Sequence, residues 1–71
     1  MDKHELRNKI GTRIESLRKE RGLSMHELAE LADITKANVF NIEHGRYSVG
    51  LDVLNKIAEA LNATLDFNEN K

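Results

Sequence analysis

Leu6, Ile10, Ile14 and Leu17 recur at spacings of four, four and three, which predicts a first helix from about Asp2 to Arg21. Gly22 ends it, with Leu23 as the apolar residue of a Schellman-type cap. Two shorter helices follow. Leu28 and Ala32 share one face of the first of these, and Val39 and Ile42 share one face of the second. Ile34, in the three-residue connection, plugs the angle between them, and the small residues Ala29 and Ala32 let the two helices cross closely. Leu51, Leu54, Ile57, Ala58 and Leu61 form the stripe of a last helix, with Asn62 as its C-terminal cap. From Ala63 the period changes to two, placing Ala63, Leu65 and Phe67 on one side of a short strand. Residues 68–71 form a frayed tail.

The helix starts and stops agree with this pattern. Ser24 and Glu27 have the spacing of a capping box, and Thr35 is placed to cap the helix that begins at Lys36. Asp33 occupies a turn position that requires a left-handed backbone, which Asp tolerates better than most residues. Gly45 ends the second short helix, and Asp52 suits the positive start of the last. Gly11 lies inside the first helix at a cost of about 1 kcal/mol relative to Ala. Either a close helix contact or a helix start nearer Lys9 accounts for it.

Five apolar positions and three caps thus define a helix-turn-helix between Ser24 and Arg46. The fold class is all-α: a compact bundle of four to five helices in one domain over residues 1–71, with its core at about 9–61. A lone strand at 63–67 leaves its edges unpaired, and two arrangements satisfy it. It pairs with the same strand of a second copy, making Ala63, Leu65 and Phe67 a dimerisation element, or it packs on its own core.

Composition narrows the function classes. With 71 residues the chain has room for one small core. It has no cysteine, which excludes disulfides and thiolate metal sites. His4, His26 and His44 lie on separate elements, so no metal site and no cofactor is expected. No apolar run is long enough to span a membrane, and residues 1–5 lack the apolar run of a signal peptide, so a cytoplasmic, prokaryotic protein is expected. No carboxylate pair, nucleophile constellation or phosphate loop points to an enzyme.

The second helix of a helix-turn-helix can enter the major groove of DNA, and for a chain that does so a net charge of −1 is unusual. The distribution is uneven, however. Residues 3–21 carry Lys3, Arg7, Lys9, Arg13, Arg18, Lys19 and Arg21 against only Glu5, Glu15 and Glu20, whereas Glu27, Glu30, Asp33, Asp52, Glu59, Asp66 and Glu69 lie mostly away from the helix that begins at Lys36.

Residues 10–14 (IGTRI), 17–24 (LRKERGLS), 27–29 (ELA), 42–46 (IEHGR) and 51–61 (LDVLNKIAEAL) closely resemble the phage repressor/Cro-like family, the XRE regulators. The resemblance spans about residues 9–61. It implies a lambda repressor-like bundle that binds double-stranded, near-palindromic operator DNA as a homodimer. It makes Lys36 to His44 the recognition helix, with Lys36, Ala37 and Asn41 at base edges and Thr35 and Asn38 at the margin. Lys36 would donate to guanine, Asn41 would pair with adenine, and Ala37 would touch a thymine methyl. Arg46, Tyr47 and His44 match phosphate-contact positions, and the helix starts at Ser24 and Thr35 offer backbone amides to phosphates. Arg18 and Glu43 match a partly buried structural ion pair. The alternating tail is similar to that of antitoxin regulators, which implies a toxin protein as a further partner.

Two positions depart from the family pattern. Met25 stands where a phosphate-binding Gln is usual, and Phe40 stands where a polar residue is usual. The expected function is a dimeric, sequence-specific repressor, either stand-alone or an autoregulatory antitoxin. The alternative is a protein-interaction module of the same fold without DNA binding.

Overall fold

The computed structural model describes residues 2–46 and 49–62. Four helices follow in order: α1 (Lys3–Glu20), α2 (Met25–Ala32), α3 (Lys36–Glu43) and α4 (Leu51–Ala60). Among the described residues there is no strand. The expected strand at 63–67, with Ala63, Leu65 and Phe67, lies outside the described residues, as does Tyr47.

Each start has a chemical cause. Asp2 caps α1 by accepting from the Glu5 amide at 2.8 Å, and Glu5 returns a bond to the Asp2 amide, forming a capping box. Ser24 and Glu27 make the same reciprocal pair at α2, at 3.0 and 2.8 Å. Thr35 Oγ1 accepts from the Asn38 amide at 3.0 Å to start α3. Gly50, which has no side chain to cap with, starts α4, and Asp52 supplies the acidic residue of its first turn.

The stops are equally specific. The Leu23 amide donates to the Arg18 carbonyl and that of Gly22 to Lys19, the two bonds of a Schellman motif. Asp33, at φ 58° and ψ 45°, takes the left-handed conformation that ends α2. Asn62, at φ 51°, does so after α4.

Ile14, Leu17, Leu28, Ala29, Ala32, Val39, Ile42, Ile57 and Leu61 form the buried core. Ile10, Leu23, Met25, Ile34, Val53 and Leu54 are partly buried against it. α3 packs on α1 and α2, and α4 packs on α2. The place of Gly11 inside a helix has its reason here, because α1 begins at Lys3 and runs on through it. A Cβ on Gly11 would run into the backbone carbonyls of Ile42 and Glu43, so glycine is what lets α1 lie against the end of α3.

Three stripe residues are not in the core, Ala58 being only half-buried and the other two exposed. Leu51 is 83 % exposed and Leu6 is 41 % exposed. Both sit at the outer end of their stripes, about a turn before the first residues that reach the core. Burial on α4 deepens from half-buried Val53 and Leu54 to fully buried Ile57 and Leu61.

Candidate nucleic-acid interface

The two sides of α3 differ sharply. Val39 and Ile42 are sunk into the core with Glu43, while Lys36, Ala37, Phe40 and His44 are exposed. The exposed set follows the spacing i, i+1, i+4, i+8, which is one face of a helix. Asn38 and Asn41 are half-buried at its borders, and Thr35 is exposed at the start.

A buried ion pair anchors the inner side. Arg18 Nε donates to Glu43 Oε2 at 2.7 Å, and Nη2 donates to Oε1 at 3.0 Å, a bidentate fork. Its remaining nitrogen, Nη1, donates to the Leu23 carbonyl at 2.8 Å. One side chain on α1 therefore holds both α3 and the turn before α2. The hydrogen bonds to Glu43 raise the Arg18 pKa against the opposing effect of burial. No buried polar side-chain atom among the described residues lacks a partner.

The C-terminal end of α3 is fixed by a second Schellman motif. The Arg46 amide donates to the Asn41 carbonyl at 2.9 Å, and the Gly45 amide to Ile42 at 3.1 Å. Gly45 adopts φ 66°, and a Cβ there would collide with the Asn8 side chain. Asn8 therefore abuts this end, so the N-terminal half of α1, bearing Lys3 and Lys9, borders it. Just beyond the turn, the Arg46 guanidinium lies over the Phe40 ring, 5.5 Å from its centroid.

The Phe40 ring also stacks with His44 at 4.1 Å between centroids. His44 Nδ1 lies 2.8 Å from the Phe40 carbonyl. A carbonyl only accepts, so in this contact Nδ1 carries the proton. The pattern of apolar residues does not locate Phe40, since a ring four residues before a histidine on one face acquires meaning only once the helix is placed.

Several cations of the basic first helix are engaged within the molecule. Besides Arg18, Lys19 pairs with Glu15 at 3.3 Å, and Arg21 reaches Glu20 and the Asn62 carbonyl. The basic excess of α1 therefore shifts toward its N-terminal half, where Lys3 and Lys9 are exposed. At α2 the Ser24 amide is already given to the Glu27 carboxylate, which argues against Ser24 itself donating to phosphate. The first-turn amides of Met25 and His26 are the ones without an intrahelical acceptor. Met25 is half-buried against the core.

Other chemistry finds little footing. Among the described residues no three His, Cys, Asp or Glu side chains gather as a metal site would require. An open cleft of about 410 Å³ between α2 and α4 is lined by Leu31, Ala32, Asp33, Lys56, Glu59 and Ala60, and includes no residue of α3. No helix among the described residues is long and apolar enough to cross a membrane.

The profile of the helix-turn-helix family HTH_3 matches residues 14–68. The chain belongs to this XRE-type helix-turn-helix family. It is 40 % identical over 52 residues to the immunity repressor protein of Bacillus phage phi105, covering 73 % of this chain and 36 % of that one. It is 44 % identical over 50 residues to an HTH-type transcriptional regulator of Methanothermobacter thermautotrophicus, covering 70 % and 72 %. A crystal structure of an HTH_3 family transcriptional regulator from Vibrio cholerae superimposes with a TM-score of 0.84 at 35 % identity, covering 89 % of this chain and 35 % of that one. The chain thus spans little more than a third of the phage repressor's length. These HTH_3 relatives are regulators rather than enzymes.

Proposed function

We propose that this protein is a sequence-specific DNA-binding transcriptional regulator that uses α3 as its recognition helix. The observation that carries this reading is the polarity of α3. Its inner side is locked by Val39, Ile42 and the Arg18–Glu43 pair, and its outer side presents Lys36, Ala37, Phe40 and His44. A rod held in this way fits the major groove, where base edges display distinct donors and acceptors.

Lys36 at the first helical position donates to guanine O6 and N7, Asn41 pairs with adenine, and Ala37 meets a thymine methyl. Thr35 and Asn38 lie at the margin of this surface. Arg46, His44 and Tyr47 contact phosphates, helped by the first-turn amides that follow Ser24. The protein acts as a cytoplasmic homodimer through Ala63, Leu65 and Phe67. Its two recognition helices then sit about 34 Å apart over a near-palindromic operator. Promoter occupancy makes it a repressor, as its phage relative is named, and a neighbouring toxin gene would make it an autoregulatory antitoxin.

A protein-interaction module is the second reading, favoured by the exposure of Leu31 (60 %) and Leu51 (83 %). Binding to the DNA upstream of its own gene across a salt series separates the two. A regulator loses affinity steeply, with a log–log slope of about −0.9 per neutralised phosphate. A slope near zero with no preferred sequence supports the interaction module instead.

A further inference from the structure

Phe40 is apolar on the side of α3 that faces away from the core, and its neighbours give it a task. It is 39 % exposed, so core packing does not explain it. Its ring stacks on His44, with planes inclined by 24°. The His44 ring is itself tethered through Nδ1 to the Phe40 carbonyl. The Arg46 guanidinium lies 5.5 Å from the Phe40 centroid, within the range in which a cation is drawn to the face of a ring. The backbone of Arg46 is held by its bond to the Asn41 carbonyl. Among the described residues no carboxylate pairs with Arg46.

We propose that Phe40 is a positioning residue for DNA binding: its ring, braced by His44, holds the Arg46 guanidinium ready for a backbone phosphate beside the groove. This rests on the DNA-binding reading above. An exposed arginine loses rotamer freedom when it grips a phosphate, and that loss weakens binding. A ring that already restrains the side chain removes part of the loss before DNA arrives. The Schellman turn fixes one end of Arg46 and the aromatic face fixes the other. The aromatic residue at this position therefore acts on affinity through Arg46 and leaves base preference to Lys36 and Asn41.

The test is a double-mutant cycle with the full chain on a duplex carrying its selected operator, run as a salt series. Phe40→Leu keeps an apolar side chain but removes the π face, and it is expected to weaken binding about three- to ten-fold. The loss should be equal on operator and random duplex. Phe40→Tyr should restore wild-type affinity. In an Arg46→Ala background, Phe40→Leu should have no further effect. In the free protein, NMR should show the Arg46 side-chain protons shifted upfield by the ring, and Phe40→Leu should abolish that shift while leaving the thermal midpoint unchanged. Additive losses from the two substitutions, or unshifted Arg46 protons in the wild type, would overturn the inference and leave the DNA-binding reading standing. No salt-dependent DNA binding by the wild type would overturn both.

Discussion

Arg18 and Glu43 show how much one pair of side chains can fix. Both are buried, and every guanidinium nitrogen has an acceptor. Removing one partner leaves a buried charge uncompensated, so Glu43→Ala should lower the unfolding free energy by about 3 kcal/mol in urea denaturation. A double substitution of Arg18→Met and Glu43→Leu should recover most of that loss, because it removes both desolvated charges together. On the outer side of α3 substitutions should act on binding rather than folding. Lys36→Ala should relax preference at one base position, measured by competition among operator variants. Arg46→Ala should weaken binding to all sequences alike and make the salt slope shallower by about 0.9. Family resemblance points to the Arg18–Glu43 pair, whereas the third bond, to Leu23, has no sequence signal. A bond to a backbone carbonyl leaves no trace in residue type at the accepting end.

Each helix is legible in the sequence because local rules agree with one another. The capping boxes, the left-handed Asp33 and the apolar spacing all mark the same boundaries. The Asp2–Glu5 box is harder to read, because it precedes a polar first turn rather than an apolar run. Periodicity alone puts Leu6 and Leu51 in their stripes, and it does not show where a neighbouring helix ends. Gly11 is ambiguous for the same reason: only α3 lying against it chooses between contact and helix start. Gly11→Ala should therefore destabilise by about 1–3 kcal/mol in thermal unfolding, despite the better helix propensity of Ala. At α2, hydrogen bonds from the Ser24 amide and then its hydroxyl hold the Glu27 carboxyl below its usual value of 4.5. A carboxylate whose folded pKa is lowered stabilises fully above the unfolded value, and that support disappears as pH falls through the folded value. An NMR titration of Glu27 should show the lowered midpoint, and Ser24→Ala should raise it only in part, because the backbone amide, the larger cause, remains, while loss of the cap costs about 1 kcal/mol of stability.

At the scale of the molecule, the four helices of the described residues leave one rod, α3, with an anchored side and an open side. The overall charge of −1 does not oppose DNA binding, because local placement governs the encounter. Lys36 and Arg46 lie at opposite ends of α3, and the exposed cations of the N-terminal half of α1 border the Arg46 end. The α2–α4 cleft has no α3 residue in its lining, so a partner that docked there would leave the recognition side uncovered. An NMR map of amide shifts in isotope-labelled protein, titrated with operator duplex, bears most directly on this division of surfaces. The largest shifts should fall on Lys36, Ala37, Asn41 and Arg46, with little change at Leu31, Lys56 and Glu59. Shifts concentrated along the α2–α4 cleft, with α3 unmoved, would contradict the assignment of α3 as the DNA-reading helix.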